Sequence, residues 1–431
     1  MRLLFTIFAL FVISFSTSGQ TINKKADVMA EKIEEQMIEW RRYFHQNPEL
    51  SNREFNTAKK IADHLKSLNM EVQTEVAKTG VVGVLKGGKP GPVVALRADI
   101  DALPVTERTP VPFASKVISE YNGVETGVMH ACGHDTHIAI LMAAAEVLSK
   151  INEDLPGTVM FIFQPAEEGA PPGEEGGAEL MVKEGVLKNP DAEVIFGLHI
   201  GAGAPVGTIN YKPGGTMAAA DRFVIKVKGK QAHGSAPWTG VDPIVASAQI
   251  ITGLQTIVSR QTELTKEAAV ISVGMIKGGV RNNIIPEEVE MIGTIRTLDS
   301  DMQKVVHEKI RLTATKIAES MGATADVDIQ LGYPVTYNDE ELTAKMIPTL
   351  QRVAGSDNVH LVNAVTGAED FSFFQKEIPG FYFFLGGKPS EGPEGSSLGG
   401  HHTPDFYIDE SGLILGLKSM VNLTLDYMQM R

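Results

Sequence analysis

The chain of 431 residues holds a single cysteine, Cys132, which excludes an intramolecular disulfide and leaves packing to hold the fold. It is short of bases as well: 39 Lys and Arg face 53 Asp and Glu, a net charge of −14. Such a chain repels phosphate backbones, so nucleic acid is excluded as a partner and a cationic or metal-bridged ligand is favoured. After the first residues no stretch stays apolar for the roughly 20 residues that a membrane helix needs. Neither an internal repeat nor a low-complexity tract occurs. What remains is ordinary for a soluble globular protein, 43% apolar and 21% charged, with a length that suits two or three domains of about 150 residues.

The one unusual apolar stretch lies at the start. Arg2 precedes the run Leu3 to Phe15, and Thr17, Ser18 and Gly19 follow it, the layout of a secretory signal peptide with a cut after Gly19. The run is too short to cross about 30 Å of hydrocarbon comfortably. The expectation is an exported protein, periplasmic or secreted, with residues 1–19 as its leader and no membrane contact after cleavage. A lone thiol in that setting is open to oxidation unless something occupies it.

Beyond the leader, Ile33, Met37, Trp40 and Phe44 recur at helical spacing until Pro48 stops them, and short apolar runs at Val81 to Leu85, Val93 to Leu96, Val159 to Phe163 and Val194 to Leu198 read as buried strands. Between them Ile138 to Leu148 reads as a helix. This alternation predicts a three-layer α/β catalytic domain with a mostly parallel sheet, in which ligands sit at the carboxyl ends of strands. Near Gly214 and Gly215 the pattern changes. Strands at Phe223 to Val227, Ala269 to Met275, Val289 to Ile295 and Ala325 to Gln330 interleave with a helix opened by Asp242 and Pro243 and another capped by Ser300. That βαββαβ order is the split unit of ferredoxin-like α+β domains. The expected division is catalytic domain at 20–214, inserted lid domain at 215–331 and the return of the catalytic domain at 332–431, with helices near Glu340 to Val353 and Glu410 to Met428.

Chemistry concentrates around the cysteine. Three of the 11 histidines lie in Met129-His130-Ala131-Cys132-Gly133-His134-Asp135-Thr136-His137, and a thiolate and an imidazole two positions apart reach a common metal because Gly133 lets the backbone turn. The strand at Val159 runs into Gln164-Pro165-Ala166-Glu167-Glu168-Gly169, where adjacent carboxylates divide labour between holding metal and activating water. Another strand ends at His199. A third leads through Arg97-Ala98-Asp99-Ile100-Asp101, whose alternation sets Asp99 and Asp101 on one face, suited to orienting a ligating imidazole. Alone, the carboxylate pair is an acidic loop and His401-His402 is a weak signal. Taken together, Cys132, His134, Glu168, His199 and one of His401 and His402 give five donors, too many for one tetrahedral zinc and suited to two divalent ions sharing a ligand. The N, O and S mixture admits Zn, Mn, Co or Ni and argues against Mg or Ca.

Six segments in order, RADIDALP from Arg97, MHACGHDTH from Met129, QPAEEG from Gln164, GLHI from Gly197, Gly229 to Pro243, and His402-Thr403-Pro404, resemble the metal-dependent amidohydrolases. That group includes N-acyl-amino-acid amidohydrolases, hippurate hydrolases and indoleacetyl-amino-acid hydrolases, and belongs to the aminoacylase and carboxypeptidase clan. The resemblance covers the chain from about Glu31 onward, and the cysteine in HACGHD separates this subgroup from the carboxypeptidases and dipeptidases of the clan, which use an aspartate there. It implies Cys132 as a bridging ligand, His134, Glu168, His199 and His402 as the other ligands, Glu167 as general base and Asp101 as the orienting acid. It further implies that His233 stabilises the oxyanion from the lid and that Asn283 contacts substrate.

The reaction so implied is hydrolysis of the amide bond of an N-acyl amino acid or short peptide, with water activated between two cations and Glu167 carrying the proton. Two alternatives compete: a dipeptidase or carboxypeptidase of the same clan, and a cysteine hydrolase in which Cys132 attacks and His134 or His137 is its base. The exposed sheet edge of the lid offers a surface for a homodimer.

Overall fold

In the computed structural model, residues 2–391 and 399–430 are described, with side chains from residue 22 onward, so the side chains of the expected leader lie outside them. The chain splits into two compact units. The larger takes the chain up to Gly214, residues 338–362 and the chain from 373 onward, and the inserted unit takes 215–337 with 363–372.

The larger unit opens with helix α1 (Arg2–Gln46), which buries Ala26, Ala30, Ile33, Met37 and Phe44 in the main core and ends just before Pro48, whose ring cannot continue a helix. Helix α2 (Phe55–Ser67) sets Ile61 and Leu65 into the same core. Strands β1 (Glu71–Val76), β2 (Gly80–Lys86) and β3 (Lys89–Asp99), helix α3 (His134–Ser149), and strands β4 (Pro156–Gln164), β5 (Val194–Pro205) and β6 (Ile209–Tyr211) follow. Helix α3 is apolar on nearly every side and buried almost throughout, as a helix in the middle of a core must be.

The inserted unit contains β7 (Ala219–Lys228), α4 (Pro243–Gln261), β8 (Ala269–Gly278), β9 (Glu288–Thr297), α5 (Ser300–Ser320) and β10 (Thr324–Tyr333). Its sheet runs β8-β9-β7-β10, antiparallel throughout, and Phe223, Ile225, Met291, Ile250, Leu254, Val306 and Ile310 fill its core. Residues 363–372 join this unit through a bridge between Met217 and Val365 and the hydrogen bond from Ala218 N to Gly367 O, 2.8 Å. The cap of α5 differs from expectation. Asp299, not Ser300, accepts from Met302 N at 2.8 Å, because the carboxylate already stands at the cap position and Ser300 is the first helical residue.

The larger unit resumes with α6 (Glu340–Ala354), β11 (Val359–Leu361), β12 (Gly380–Lys388) and α7 (Leu413–Gln429). Glu410, expected inside the last helix, sits in a short 3₁₀ turn before it and pairs with Arg41 and Arg42 at 3.1 and 2.6 Å. The eight-stranded sheet runs β1-β2-β4-β3-β5-β12-β6-β11. Its four middle strands are mutually parallel, and their apolar runs are covered on both faces. β1 and β2 add antiparallel at one side, and β6 lies antiparallel to β12 at the other. The fold is the expected α/β sheet domain interrupted by a ferredoxin-like insertion. Among the described residues no helix is long and apolar enough to cross a membrane.

This topology brings chain ends together. β3 and β4 stop side by side, Asp99 opposite Gln164, so the segments beginning at Ile100 and Pro165 leave the sheet at the same edge. Where α3 begins, Gly133 has φ +91°, and a Cβ there would lie 2.3 Å from the Ile200 side chain. Only glycine serves at a position with both demands.

Candidate metal centre

Cys132 is the hub. Its Sγ lies 3.4 Å from His199 Nε2 and 3.3 Å from His402 Nε2. Two sets of donor atoms, each within 4.8 Å of one another, share that sulfur: Cys132, His134 and His199 form one, and Cys132, Glu168 and His402 the other. His402 Nε2 is also 3.1 Å from Glu168 Oε1. A third set joins His134 with Glu167 and Glu168, at 3.8 and 3.9 Å from His134 Nε2.

The tautomers are set from behind. His134 Nδ1 donates to the Asp101 carbonyl at 2.9 Å and faces Asp101 Oδ1 at 3.2 Å, leaving Nε2 buried without a hydrogen-bond partner. His199 Nδ1 donates to Ile200 O at 2.7 Å, which leaves its Nε2 turned to the sulfur. Buried imidazoles with one nitrogen committed to a carbonyl or carboxylate and the other bare suit metal ligation, and so does the N, O and S donor set. Of the two adjacent histidines, His401 receives Ala202 N on Nε2 at 3.1 Å and stands with Nδ1 3.7 Å from Sγ, farther than His402. His402 holds a left-handed backbone, φ +62°, with its N–H on Ala131 O at 2.8 Å.

The electrostatics ask for positive charge. Burial pushes the Cys132 thiol well up, and Glu168, Glu167 and Asp99 push it further. Burial opposes charge on His134, but Asp99, Asp101 and Glu168 outweigh it and raise the imidazole to about 10. His199 is driven well down by burial and by His137 and His401. Acids and a thiol crowded in this way are mutually repulsive unless a cation stands among them.

Of the residues singled out in the sequence, Asp101, Cys132, His134, Glu167, Glu168, His199 and His402 come together. His233 and Asn283 lie in the inserted unit and meet each other: Ala232 and His233 pair with Ile285 and Ile284, and Gly234 N donates to Asn283 O at 2.8 Å. His130, though inside the histidine-rich run, stays apart; it is buried with neither ring nitrogen hydrogen-bonded, and burial lowers it to about 4.

Sequence reasoning left several supports unassigned. His137 Nδ1 is 2.6 Å from Asp99 Oδ1, and its Nε2 accepts from Ile200 N at 2.8 Å, so it fixes the peptide that joins His199 to Ile200. Asp99 is in turn held by Arg97 at 2.8 Å, and Arg97 by Gln164 at 2.7 Å. Ser51 donates to Asp101 Oδ2 at 2.6 Å, and Glu168 N donates to the same oxygen at 3.0 Å. Glu54, fully buried, accepts from Ala166 N at 2.9 Å and from Thr79 Oγ1 at 2.5 Å; burial and the nearby Asp101 raise its carboxyl to about 8. The i, i+3 spacing of His134 and His137 behind two aspartates was a usable signal for His137. Nothing in the local sequence marks Ser51 or Glu54.

Comparison with known proteins agrees with this geometry. The chain is 39% identical over 399 residues to the N-acetylcysteine deacetylase of Bacillus subtilis, covering 92% of this chain and 98% of that protein. It is 40% identical over 398 residues to thermostable carboxypeptidase 2 of Saccharolobus solfataricus, covering 92% and 96%. The solved Bacillus subtilis YxeP protein, described as a dinuclear metal binding peptidase from the M20 family, superposes with a TM-score of 0.77 at 36% identity over 92% of this chain and 99% of that one. The expectation of two divalent ions agrees with the dinuclear character of that relative.

The expectation of a cleaved signal and a periplasmic or secreted protein is corrected. The deacetylase and YxeP, each matched over 92% of the chain, are not described as exported proteins. A model of the family described as peptidase family M20/M25/M40 matches residues 95–426. With the sulfur-centred donor set, the parallel sheet and the inserted unit all in agreement, this chain belongs to peptidase family M20/M25/M40.

Proposed function

We propose that the protein hydrolyses the amide bond of N-acyl amino acids with two divalent ions held by Cys132, His134, Glu168, His199 and His402. The observation that carries this reading is the pair of donor sets sharing Cys132 Sγ. In it, Cys132 with His134 and His199 would hold one ion, and Cys132 with Glu168 and His402 would hold the other. When bound, two such ions supply Lewis-acid polarisation of a carbonyl and bring the pKa of water toward neutrality. Glu167, buried beside His134, takes the proton of the attacking water and returns it to the leaving nitrogen. Asp101 keeps the His134 proton on Nδ1 so that Nε2 stays a ligand.

In the inserted unit, Ser235 N donates to His233 Nδ1 at 3.1 Å, so the ring proton belongs on Nε2, where it serves as a donor to a developing oxyanion. Asn283, beside it, contacts the substrate. An insertion that begins at Gly215, with the larger unit resuming at Asn338 rather than at 332, and a homodimer through the edge strands of the inserted sheet belong to the same proposal. The acyl amino acid class is supported by the likeness to the N-acetylcysteine deacetylase; a peptide with a free carboxyl terminus is the second reading, supported by the likeness to the carboxypeptidase. A cysteine nucleophile is disfavoured, because both ring nitrogens of His137 are engaged, by Asp99 and by Ile200 N, and His134 Nε2 makes no hydrogen bond to the thiol that it would have to deprotonate.

The test is metal analysis of the purified protein with kcat/KM for a panel of N-acetyl, N-benzoyl and N-indoleacetyl amino acids and short peptides. The expected result is about two ions per chain, loss of activity with EDTA, recovery with Zn or Mn, and preference for one acyl class. A chelator-insensitive activity abolished by thiol alkylation would sink the metal reading. Preference for peptides would move the assignment to the carboxypeptidase reading.

A further inference from the structure

The general base and one proposed ligand are consecutive residues, Glu167 and Glu168, on a short turn after β4. That turn starts from Ala166, which holds φ +52°, a conformation L-residues with a Cβ seldom adopt and one that persists only where the surroundings fix it. Two N–H groups of the turn are held by buried acids: Ala166 N by Glu54 Oε1 at 2.9 Å, and Glu168 N by Asp101 Oδ2 at 3.0 Å. Glu167 is the residue between them.

Glu54 is oddly used. It occupies the N-cap position of α2, yet its side chain makes no cap bond there. The cap is supplied by Glu49, which accepts from Thr57 N at 2.8 Å and from Asn56 N at 3.2 Å. Glu54 instead turns inward, fully buried, with Thr79 Oγ1 holding its second oxygen at 2.5 Å. A carboxyl withdrawn from water and from its own helix is costly for stability alone, so its use lies in what it holds.

We propose that Glu54 is a positioning residue for the reaction: through Ala166 N–H it keeps the left-handed turn that aims the Glu167 and Glu168 carboxylates. The inference rests on Glu167 as general base, but the hold on the turn is measurable without activity. Glutamine at 54 retains an oxygen acceptor for Ala166 N and a donor for Thr79, whereas alanine removes both, and aspartate withdraws the acceptor by one methylene. Glycine at 166 adopts the same φ without strain, so it substitutes for the hold.

The experiment uses the full-length, metal-loaded protein. Hydrogen exchange followed by mass spectrometry on peptides across 160–168 is expected to show the Ala166 amide exchanging roughly tenfold faster in Glu54→Ala, with Glu54→Gln near the parent. Kinetics on the preferred acyl amino acid are expected to show kcat down roughly 10–100-fold in Glu54→Ala with KM within about threefold, recovery in Glu54→Gln, and a partial recovery on adding Ala166→Gly. Should Glu54→Ala not fold, Glu54→Asp carries the same expectations. Unchanged exchange at 166, unchanged kcat, or effects of Glu54→Ala and Ala166→Gly that simply add would each overturn the inference. A parent enzyme inactive on the whole panel, or a Glu167→Ala variant with full activity, defeats the functional reading instead, and the exchange measurement still decides whether Glu54 holds the turn.

Discussion

The two units solve the problem of a core differently. Around the βαββαβ sheet of the insertion, Phe223, Ile225, Met291, Leu254 and Ile310 pack hydrocarbon on hydrocarbon, and Asp221 is the buried acid at its edge. In the larger unit the ends of the parallel strands are lined with Arg41, His45, Glu54, Arg97, Asp99, Asp101, His134, Asp135 and His137, all almost inaccessible to water. Removing a single charge from water costs several kcal/mol unless a partner compensates. Here most of these groups have one: Asp135 takes Arg41 at 2.9 Å and His45 at 2.8 Å, and Asp99 takes Arg97 and His137. Stability alone is better served by the insertion's solution, so the density of paired, buried charge marks the region that chemistry shaped, and the apolar core behind α1, α3 and α7 offsets its cost.

If that division is right, substitutions should separate into those that remove chemistry and those that remove stability. The largest effect is expected for Glu167→Ala: kcat down about a thousandfold or more, with metal content by elemental analysis and Tm close to the parent. A variant with lost metal or a collapsed Tm would show that Glu167 serves the fold rather than the reaction. The mirror case is Phe223→Ala. Phe223 lies over Gly293, where a Cβ would come within 2.2 Å of the ring, and its loss should cost about 3–5 kcal/mol of stability, measured by urea unfolding, with metal affinity unchanged.

A smaller effect tests the supports behind the ligands. Asp101→Asn keeps an acceptor for Ser51 or Glu168 N but weakens the hold on His134 Nδ1, and metal affinity should fall about 10–100-fold, read by competition with a chromophoric chelator. An unchanged affinity would mean that the carbonyl of Asp101, which His134 also reaches, is sufficient by itself.

The same contrast explains what was legible in the chain. Strands buried on both faces announce themselves as apolar runs, so β3, β4, β5 and the insertion's order could be read, and the ligand types stood next to those runs, Glu168 after β4 and His199 inside β5, which continues to Pro205 instead of ending at the histidine. The order of the eight-stranded sheet could not, because pairing between β4, β3 and β5 depends on contacts far apart in sequence. Cys132, His134, Glu168 and His199 were visible because their side chains do the chemistry and few other roles need them so close together. Glu54 was invisible for the opposite reason: a glutamate just before a helix reads as part of a cap, and only the fold reveals that Glu49 caps while Glu54 reaches Ala166. Asp299 for Ser300 is the same lesson at smaller scale, since two capping residues in a row are separable only by the backbone that each adopts.

The smallest expected effect concerns the one buried acid of the insertion's sheet. Burial disfavours the charged Asp221 carboxylate, but hydrogen bonds from His307 at 2.7 Å, Gln303 at 2.8 Å and Gly332 N at 3.2 Å outweigh it and hold its pKa below the usual carboxylate range. A carboxyl depressed on folding contributes stability that is fully present above its unfolded value of about 3.9 and is lost as pH falls through the folded value. Asp221→Asn should therefore cost about 1–2 kcal/mol at pH 7, and the difference from the parent should shrink below about pH 4. Hydrogen exchange of β7 and β9 peptides at pH 7 and pH 3.5 measures it, with metal content at pH 7 equal to that of the parent. A difference that grew as pH fell, or a loss of bound metal at pH 7, would break the separation between strand ends that keep their charge for chemistry and a sheet that keeps its one buried acid for structure.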